Sequence, residues 1–206
     1  VQNYNKDYAN NNTFTYVLQN ATNYSSKVAE TVGTLSITKK ALTLTSGNAE
    51  KKYDGTALTN ADVKNKNGNG LTVESGWVDG EGATYVFSGS AKNAGDEKDN
   101  AFTVTAKTGT SLDNYAISKT EGKLKVTAND TAIKIESIGD SFEYDGDNHK
   151  NEVYKVTYGG TELKADTTGK VFTLPTGDTV TITATAEGVQ NYNKDYANNN
   201  TFTYVL

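Results

Sequence analysis

The sequence predicts an all-β protein built from small tandem modules. Short runs rich in Thr, Val, Tyr and Phe alternate apolar and polar residues, which is typical of half-buried strands. Residues 13–18 and 179–184 are two such runs. Pairs of residues that favour hairpin turns separate the runs, and these are Asn67-Gly68, Asn69-Gly70, Asp79-Gly80 and Gly159-Gly160. We expect β-sandwich or β-grasp-like modules, with short helices conceivable only at residues 60–66 and 149–155.

One eighteen-residue segment occurs twice. The sequence VQNYNKDYANNNTFTYVL fills residues 1–18 and again residues 189–206, at an offset of 189 − 1 = 188 residues. Chance does not duplicate a segment of this length and mixed composition. A fixed long period is typical of repeat proteins, so we expect one full period of a tandem array plus an overlap.

A second, degenerate period lies within the first. The Tyr-Asp-Gly motif at residues 53–55 recurs at residues 144–146, an offset of 144 − 53 = 91. Other segments that correspond in the same order are 23–24 with 114–115, 33–38 with 122–127, and 12–16 with 100–104. We therefore predict three parts: final strands of a preceding module (1–38), a complete module (39–127) and a second module without its final strands (128–206).

The module boundaries coincide with a change in the phase of apolar residues. Leu35 and Ile37 stand at odd positions, whereas Leu42 and Leu44 stand at even ones. The second boundary behaves alike, with Leu124 and Val126 followed by Ile133 and Ile135. A one-residue change of phase turns the apolar face to the other side, so one extended segment can end one core and begin the next. No Pro- or Gly-rich linker intervenes, which favours modules arranged end to end as an elongated rod.

Composition excludes several classes of function. The net charge is −5 and every one of the 20 basic residues is Lys, which argues against binding of nucleic acid. The chain has no Cys and a single His, so thiol catalysis, disulfides and most zinc sites are ruled out. No apolar run reaches the roughly 18 residues of a membrane span. We find no nucleophile–base pair or ligand cluster, and predict no enzyme activity, no catalytic, cofactor or metal residues, and no cofactor.

Four local features have a functional interpretation beside a structural one. Tyr53-Asp54-Gly55 and Tyr144-Asp145-Gly146 favour β-turns in which Asp caps the turn, Gly takes a positive φ and Tyr packs; the alternative is a ligand-contacting turn. Residues 145–152 carry oxygen ligands at alternating positions, faintly like a calcium loop, although EF-hand spacing is absent. His149 is predicted to be a solvated turn residue. A buried Lys–Asn isopeptide cross-link is a further alternative that spacing cannot test.

Aromatic and asparagine-rich segments are the other candidates. Tyr side chains beside Asn, as at residues 3–8, would suit stacking of sugars, and the alternative is cross-strand pairing on solvated β faces. Trp77 stands in one module only, so an exposed Trp there would favour a binding contact. Asn-x-Ser/Thr triplets, which we interpret as accidents of composition, begin at Asn11 (and include Asn12), Asn20, Asn23, Asn129 and Asn199 (and include Asn200).

The order of the motifs resembles that of the MBG/YDG-type repeats. The matching motifs are residues 52–56 (KYDGT), residues 177–180 (GDTV) and Asn-Tyr followed by Gly-x-Leu-x-(Ile/Val)-Thr. The first module departs from the pattern, with Asp-Gly-Glu-Gly at residues 79–82. The resemblance implies an extracellular repeat region of a large, adhesin-like surface protein of bacteria, mainly Gram-positive ones. It also implies cell-wall attachment, with export and sorting signals elsewhere in the parent protein.

Together these observations favour a structural stalk or fibre segment that projects binding domains from the cell. The alternative is a module that binds glycan, mucin or protein weakly and acts through avidity. The second module lacks the strands that residues 19–38 supply at the other end of the chain. An open strand edge recruits a strand from elsewhere, so we expect adjacent copies of the repeat to join head to tail. The alternative is that these residues are a window onto a continuous fibre, in which the joint is an ordinary peptide bond. Host glycans or surface proteins are the further partners that the avidity alternative implies.

Overall fold

A computed structural model describes residues 3–4, 9–24, 28–192 and 198–206, and strands dominate it. Helical structure in these residues is limited to the 3-10 turns Ala21–Asn23, Asn60–Asp62 and Leu112–Asn114. The strands are β1 (Lys40–Thr45), β2 (Ala49–Lys52), β3 (Leu58–Thr59), β4 (Val73–Ser75), β5 (Ala83–Phe87), β6 (Ser90–Ala91), β7 (Glu97–Asp99), β8 (Phe102–Ala106), β9 (Tyr115–Thr120), β10 (Lys123–Thr127), β11 (Ile133–Ser137), β12 (Tyr154–Tyr158), β13 (Thr161–Glu162), β14 (Val171–Thr173), β15 (Thr179–Ala184) and β16 (Phe202–Val205). The predicted all-β class is confirmed.

The chain forms two compact units. Unit 1 contains Val1–Ala49, Thr59–Gly89 and Asp99–Lys123, and unit 2 contains Glu50–Leu58, Ser90–Lys98 and Leu124–Leu206. Neither unit is continuous in sequence, because a central stretch of the chain alternates between them. The predicted boundaries of the repeat modules (1–38, 39–127, 128–206) rest on the sequence and stay predictions.

In unit 1, β1 is the central strand of the sheet β4-β1-β9. It pairs antiparallel with β4 and parallel with β9, from Lys40 opposite Tyr115 to Thr45 opposite Thr120. Strands β5 and β8 form an antiparallel pair. The alternation of β1 buries Leu42 and Leu44. The buried core of the unit consists of Leu42, Leu44, Leu71, Phe102 and Tyr115, with Trp77, Tyr85, Phe87 and Val104 packed against it.

In unit 2, the sheets are β11-β12-β13 and β14-β15-β16, and most residues of the sheet β2-β10-β7 also belong to this unit. Gly159 and Gly160 both have positive φ (+56° and +83°) and turn the chain between β12 and β13, as the Gly-Gly pair predicts. The predicted alternation of β15 is confirmed, because Val180 and Ile182 are buried. The buried core consists of Tyr154, Val156, Phe172, Leu174, Val180 and Ile182.

The two predicted short helices differ from the structure. At residues 60–66 a single 3-10 turn forms, capped by Thr59 and Asp62, and the backbone becomes extended at Val63. At residues 149–155 the helix prediction is wrong. There the backbone of His149 exchanges hydrogen bonds of 2.8 and 2.9 Å with Val189, so the segment is held in a β-bridge. No described helix is long and apolar enough to cross a membrane.

The two copies of the eighteen-residue segment fold differently. In the second copy Phe202–Val205 forms β16, which pairs antiparallel with β15. In the first copy the predicted strand at residues 13–18 is absent and every one of these residues is exposed, including Phe14 at 54%. Phe202 packs edge-on against Tyr154 with ring centroids 5.6 Å apart, which shows what the second copy gains. Identical residues therefore become a strand only where a neighbouring strand is provided.

Candidate functional site

Both Tyr-Asp-Gly motifs are turns closed by their aspartates. Asp54 Oδ1 and Asp145 Oδ1 each accept a hydrogen bond of 2.9 Å from the backbone N–H two residues later. Gly55 and Gly146 have φ of +82° and +88°, a region that favours glycine. The predicted turn, with an Asp cap and Gly at positive φ, is confirmed in both modules.

The turn aspartates make stability depend on pH. Hydrogen bonds from Lys51 and Thr56 lower the pKa of the Asp54 carboxyl, and a hydrogen bond from the N–H of Asp147 is the largest cause that lowers the pKa of Asp145. A carboxyl with a lowered pKa in the folded state contributes stability that is present above its ordinary pKa of about 3.9 and is lost in more acidic solution. We expect the melting temperature to stay constant between neutral and mildly acidic pH. It should fall once the pH is lowered below the ordinary aspartate pKa of about 3.9. Thermal unfolding followed by circular dichroism across this pH range tests the prediction. In an Asp54→Asn variant the melting temperature should depend less on acidic pH. If the variant loses as much stability in acid as the native chain, Asp54 does not have this role.

The first turn packs against a loop of the second module within unit 2. Tyr53 is half-buried and its hydroxyl donates a 3.0 Å hydrogen bond to Asp178 Oδ1, which raises the pKa of Tyr53. A Cβ placed on Gly55 would lie 1.8 Å from the backbone oxygen of Thr176. The backbone of this turn thus touches the backbone of the loop that precedes β15.

The second turn has no such close backbone neighbour among the described residues. Tyr144 is 69% exposed, and a Cβ on Gly146 would meet no atom within 4 Å. The prediction that the motif tyrosine packs holds for Tyr53 and is wrong for Tyr144. The backbone oxygen of Gly146 instead accepts a 2.8 Å hydrogen bond from Gln190 Nε2, so the first turn packs against a backbone and the second is held by a side chain.

The calcium-like run that begins at Asp145 does not converge. Asp145 Oδ1 lies 2.8 Å from His149 Nε2, which is half-buried, whereas the prediction had it solvated. The amide of Asn148 donates to a backbone oxygen, and Glu152 binds Lys170 at 2.6 Å. Within the described part of the chain, no three His, Cys, Asp or Glu side chains are grouped as metal ligands.

Trp77 belongs to the core of unit 1. Its ring meets Tyr115 edge-on with centroids 4.8 Å apart, and its indole N–H donates to Glu74 Oε1 at 2.8 Å. The hydroxyl of Tyr85 donates to the same carboxylate, and burial raises the pKa of Tyr85. The structure accounts for this half-buried Trp by packing.

Exposed tyrosines are the surface that a sugar could stack on. Tyr4 is half-buried, with Lys39 Nζ 4.9 Å from its ring centroid, whereas Tyr192, its counterpart in the second copy, is 85% exposed. Tyr8 lies outside the described residues. The other strongly exposed tyrosines are Tyr24, Tyr144 and Tyr204.

Two candidate modifications fall on side chains that already have partners. The amide of Asn129, the start of one Asn-x-Ser/Thr triplet, donates to the backbone oxygen of Tyr53 and to the hydroxyl of Tyr158. Asn60, whose side chain is buried, lies beside Lys66, but Lys66 Nζ donates to three backbone oxygens there and its donors are used. The isopeptide alternative gains no support at this position.

A buried hydrogen-bond network joins Ser46, Gly47, Asn100 and Gly122 in unit 1, and we call it the closure network. The N–H of Asn100 donates to the oxygen of Gly122 at 2.7 Å, and the N–H of Gly122 donates to Ser46 Oγ at 3.0 Å. Ser46 Oγ donates to the oxygen of Asn100 at 2.7 Å, and the Asn100 amide donates to Gly47 O at 2.9 Å. These bonds fasten the final strands of the module onto its first strand.

Unit 2 repeats part of this network at an open cleft. Asn200, the counterpart of Asn100 in the Asn-x-Phe motif, donates its amide to the oxygen of Ile138 at 3.0 Å. Ile138 corresponds to Gly47 at the module offset of 138 − 47 = 91. The cleft has a volume of about 570 Å³ and its lining includes Ser137, Phe142, His149 and residues 198–200. Sequence analysis missed this site, although the recurrence of Asn-x-Phe in each module was a visible signal.

The edge of β11 is open beside this cleft. Strand β1 has neighbours on both sides, β4 and β9. Strand β11, its counterpart, pairs within the described residues only with β12. Ile133 and Ile135 are half-buried, whereas Leu42 and Leu44 at the equivalent positions of β1 are buried. Among the described residues, the edge of β11 that corresponds to the β9 side of β1 therefore carries no paired strand.

Comparisons with known proteins identify no relative. No family model matches the chain, and no match is found among curated proteins or among solved structures.

Proposed function

We propose that this chain is a structural repeat segment of an extracellular surface fibre or adhesin stalk. The observation that carries the proposal is the verbatim repetition of residues 1–18 at residues 189–206. A spacer gains length from every copy, whereas a binding pocket gains little from being copied letter for letter. The all-β fold agrees with this role.

The resemblance to MBG/YDG-type repeats supports the location that we propose. Such a segment would stand outside the cell, attached to the wall, with modules arranged end to end as a rod. The chain has no Cys and no Met, so it lacks the side chains that oxidants attack most readily. In this role the chain has no enzyme activity, and its partners are adjacent copies of the same repeat.

Small-angle scattering tests the rod. We expect proteins that carry one, two and three tandem periods to increase in maximum dimension by a constant amount per period, because each added module extends the same axis. We would measure the maximum dimension of each protein and compare its scattering profile with that calculated for a rod. A maximum dimension that grows only as a compact globule does would overturn the stalk.

Weak binding through avidity is the second candidate, and the exposed tyrosines favour it. Tyr192 and Tyr144 present 85% and 69% of their surface to solvent. Aromatic faces of this kind stack on sugars, and many weak contacts add up along an array. A glycan array probed with a three-period protein and with its Tyr144→Ala, Tyr192→Ala variant distinguishes the two. Signal that the variant loses would support binding, and no signal above background supports the stalk alone.

A further inference from the structure

Two Asn-Gly pairs follow one another in the turn that precedes β4 of unit 1. They are Asn67-Gly68 and Asn69-Gly70. In such a pair the backbone nitrogen of the glycine can attack the side-chain amide of the asparagine, because glycine has no Cβ to hinder the approach. The attack needs a glycine nitrogen that is free of other bonds and an asparagine amide that can turn towards it. The two pairs thus place the same chemistry in two environments.

The second pair is held by hydrogen bonds at each of its reacting groups. The N–H of Gly70 donates to the oxygen of Asn67 at 2.9 Å. Asn69 Oδ1 accepts from the N–H of Leu71 at 3.1 Å, and the Asn69 amide donates to the carboxylate of Glu74. Leu71 is fully buried, so these bonds lie next to the core. Attack by the nitrogen of Gly70 requires them to break first.

The first pair carries none of these restraints. Asn67 and Gly68 are both exposed. Within the described part of the chain, neither the side-chain amide of Asn67 nor the N–H of Gly68 has a hydrogen-bond partner. A Cβ placed on Gly68 would meet no atom within 4 Å, so the space around its backbone is open. Both reacting groups are therefore available without the loss of a hydrogen bond.

We propose that Asn67 is a site of spontaneous deamidation in the folded chain and that Asn69 is protected from it. The nitrogen of Gly68 forms a bond to Asn67 Cγ, and the bond between Cγ and Nδ2 breaks. The side-chain nitrogen leaves as ammonia, taking the proton of the Gly68 N–H, and a cyclic succinimide remains. Water, the only co-reactant, then opens the ring. Opening at Cγ yields aspartate, and opening at the main-chain carbonyl carbon yields isoaspartate.

The two products differ in their effect on the turn. Aspartate leaves the main chain as it is and adds one negative charge. Isoaspartate leads the main chain through the former side chain, which adds one carbon between the nitrogen and the carbonyl at this position. Those two groups close the turn, because the N–H of Asn67 donates to Leu71 O at 2.7 Å and the oxygen of Asn67 accepts from Gly70. Isoaspartate therefore loosens unit 1 beside its core, and aspartate does not.

Peptide mapping by mass spectrometry tests the proposal on the full chain. The folded protein is kept in mildly alkaline buffer for increasing times, and the conversion of each asparagine is measured. We expect Asn67 to convert about tenfold faster than Asn69, because the hydrogen bonds that protect Asn69 correspond to a factor of this size. In the chain unfolded by guanidinium chloride, we expect equal rates, because both pairs are then equally free.

Gly68→Ala is the matched substitution. The new Cβ hinders the attack on Asn67 and meets no other atom, so conversion of Asn67 should fall to the level of Asn69 or below it. The melting temperature and the conversion of Asn69 should not change. Asn67→Asp, which has the sequence of one product, should melt like the native chain. Aged native protein that contains isoaspartate should melt at a lower temperature.

Three results would overturn the proposal. Equal conversion of Asn67 and Asn69 in the folded chain would mean that the hydrogen bonds at Asn69 protect nothing. A stable Asn67 in the folded chain, with conversion at both positions after unfolding, would mean that the fold protects Asn67 as well. A lack of conversion in both states would mean that neither pair reacts. None of these results bears on the stalk, because the scattering test measures length and the reaction needs no particular function of the chain.

Discussion

Replacing Gly55 with alanine is expected to destabilise unit 2 by about 3 kcal/mol. A non-glycine residue at positive φ loses about 1–2 kcal/mol, and overpacking adds a similar amount. Both apply at Gly55, where φ is +82° and the new Cβ would lie 1.8 Å from Thr176 O. The loop that carries Thr176 must move, and with it the hydrogen bond between Tyr53 and Asp178.

Gly146→Ala is the matched control for this prediction. Gly146 stands in the same motif with φ of +88°, but its Cβ would meet nothing within 4 Å. We expect a loss of about 1–2 kcal/mol, from the backbone alone. Urea unfolding followed by circular dichroism measures both. Equal losses would show that the contact with the loop before β15 contributes nothing.

Asn100→Ala is expected to destabilise unit 1 by about 2–4 kcal/mol. The side chain is fully buried and donates to Gly47 O at 2.9 Å and to Asn60 Oδ1 at 2.8 Å. Its removal leaves two buried acceptors without these donors, and each unsatisfied group costs about 1–3 kcal/mol. The fluorescence of Trp77, the one Trp of the sequence, reports the unfolding of unit 1 in urea.

Asn200→Ala offers the comparison in unit 2. Its amide makes the corresponding bond to Ile138 O at 3.0 Å, but Asn200 is half-buried and water can replace the lost donor. We expect a loss below about 1 kcal/mol, measured by circular dichroism. A loss as large as that of Asn100→Ala would mean that the cleft is closed in solution.

Local patterns in the sequence are sufficient to predict strands, turns and buried positions, but they do not determine which strands pair with each other. The alternation of residues 179–184 predicts β15 and its buried face correctly. The same kind of alternation at residues 13–18 predicts a strand that does not form. The identical residues of the second copy do form one, because Val180 and Ile182 lie in a strand that can pair with them. Strand formation that depends on a partner strand distant in sequence cannot be predicted from the local pattern alone.

The closure network shows the same limit at the candidate site. The recurrence of Asn-x-Phe and of the glycine at residues 33 and 122 is visible in the sequence, and so is their order. Their meeting is not, because it requires β9 to run parallel to β1 so that Gly122 reaches Ser46. The open cleft of unit 2 follows from that geometry and could be recognised only by comparing the two modules in space.

The parallel pairing of β1 with β9 sets the order of events during synthesis and folding. Lys40 pairs with Tyr115, a separation of 115 − 40 = 75 residues, and the intervening strands lie between them in sequence. Contacts between residues so distant in sequence form slowly, because closing the long loop between them costs conformational entropy before the contacts contribute any stability. One edge of β1 therefore stays unpaired until the chain has been synthesised as far as β9. A nascent array of such modules would fold in steps, one module behind the emerging end.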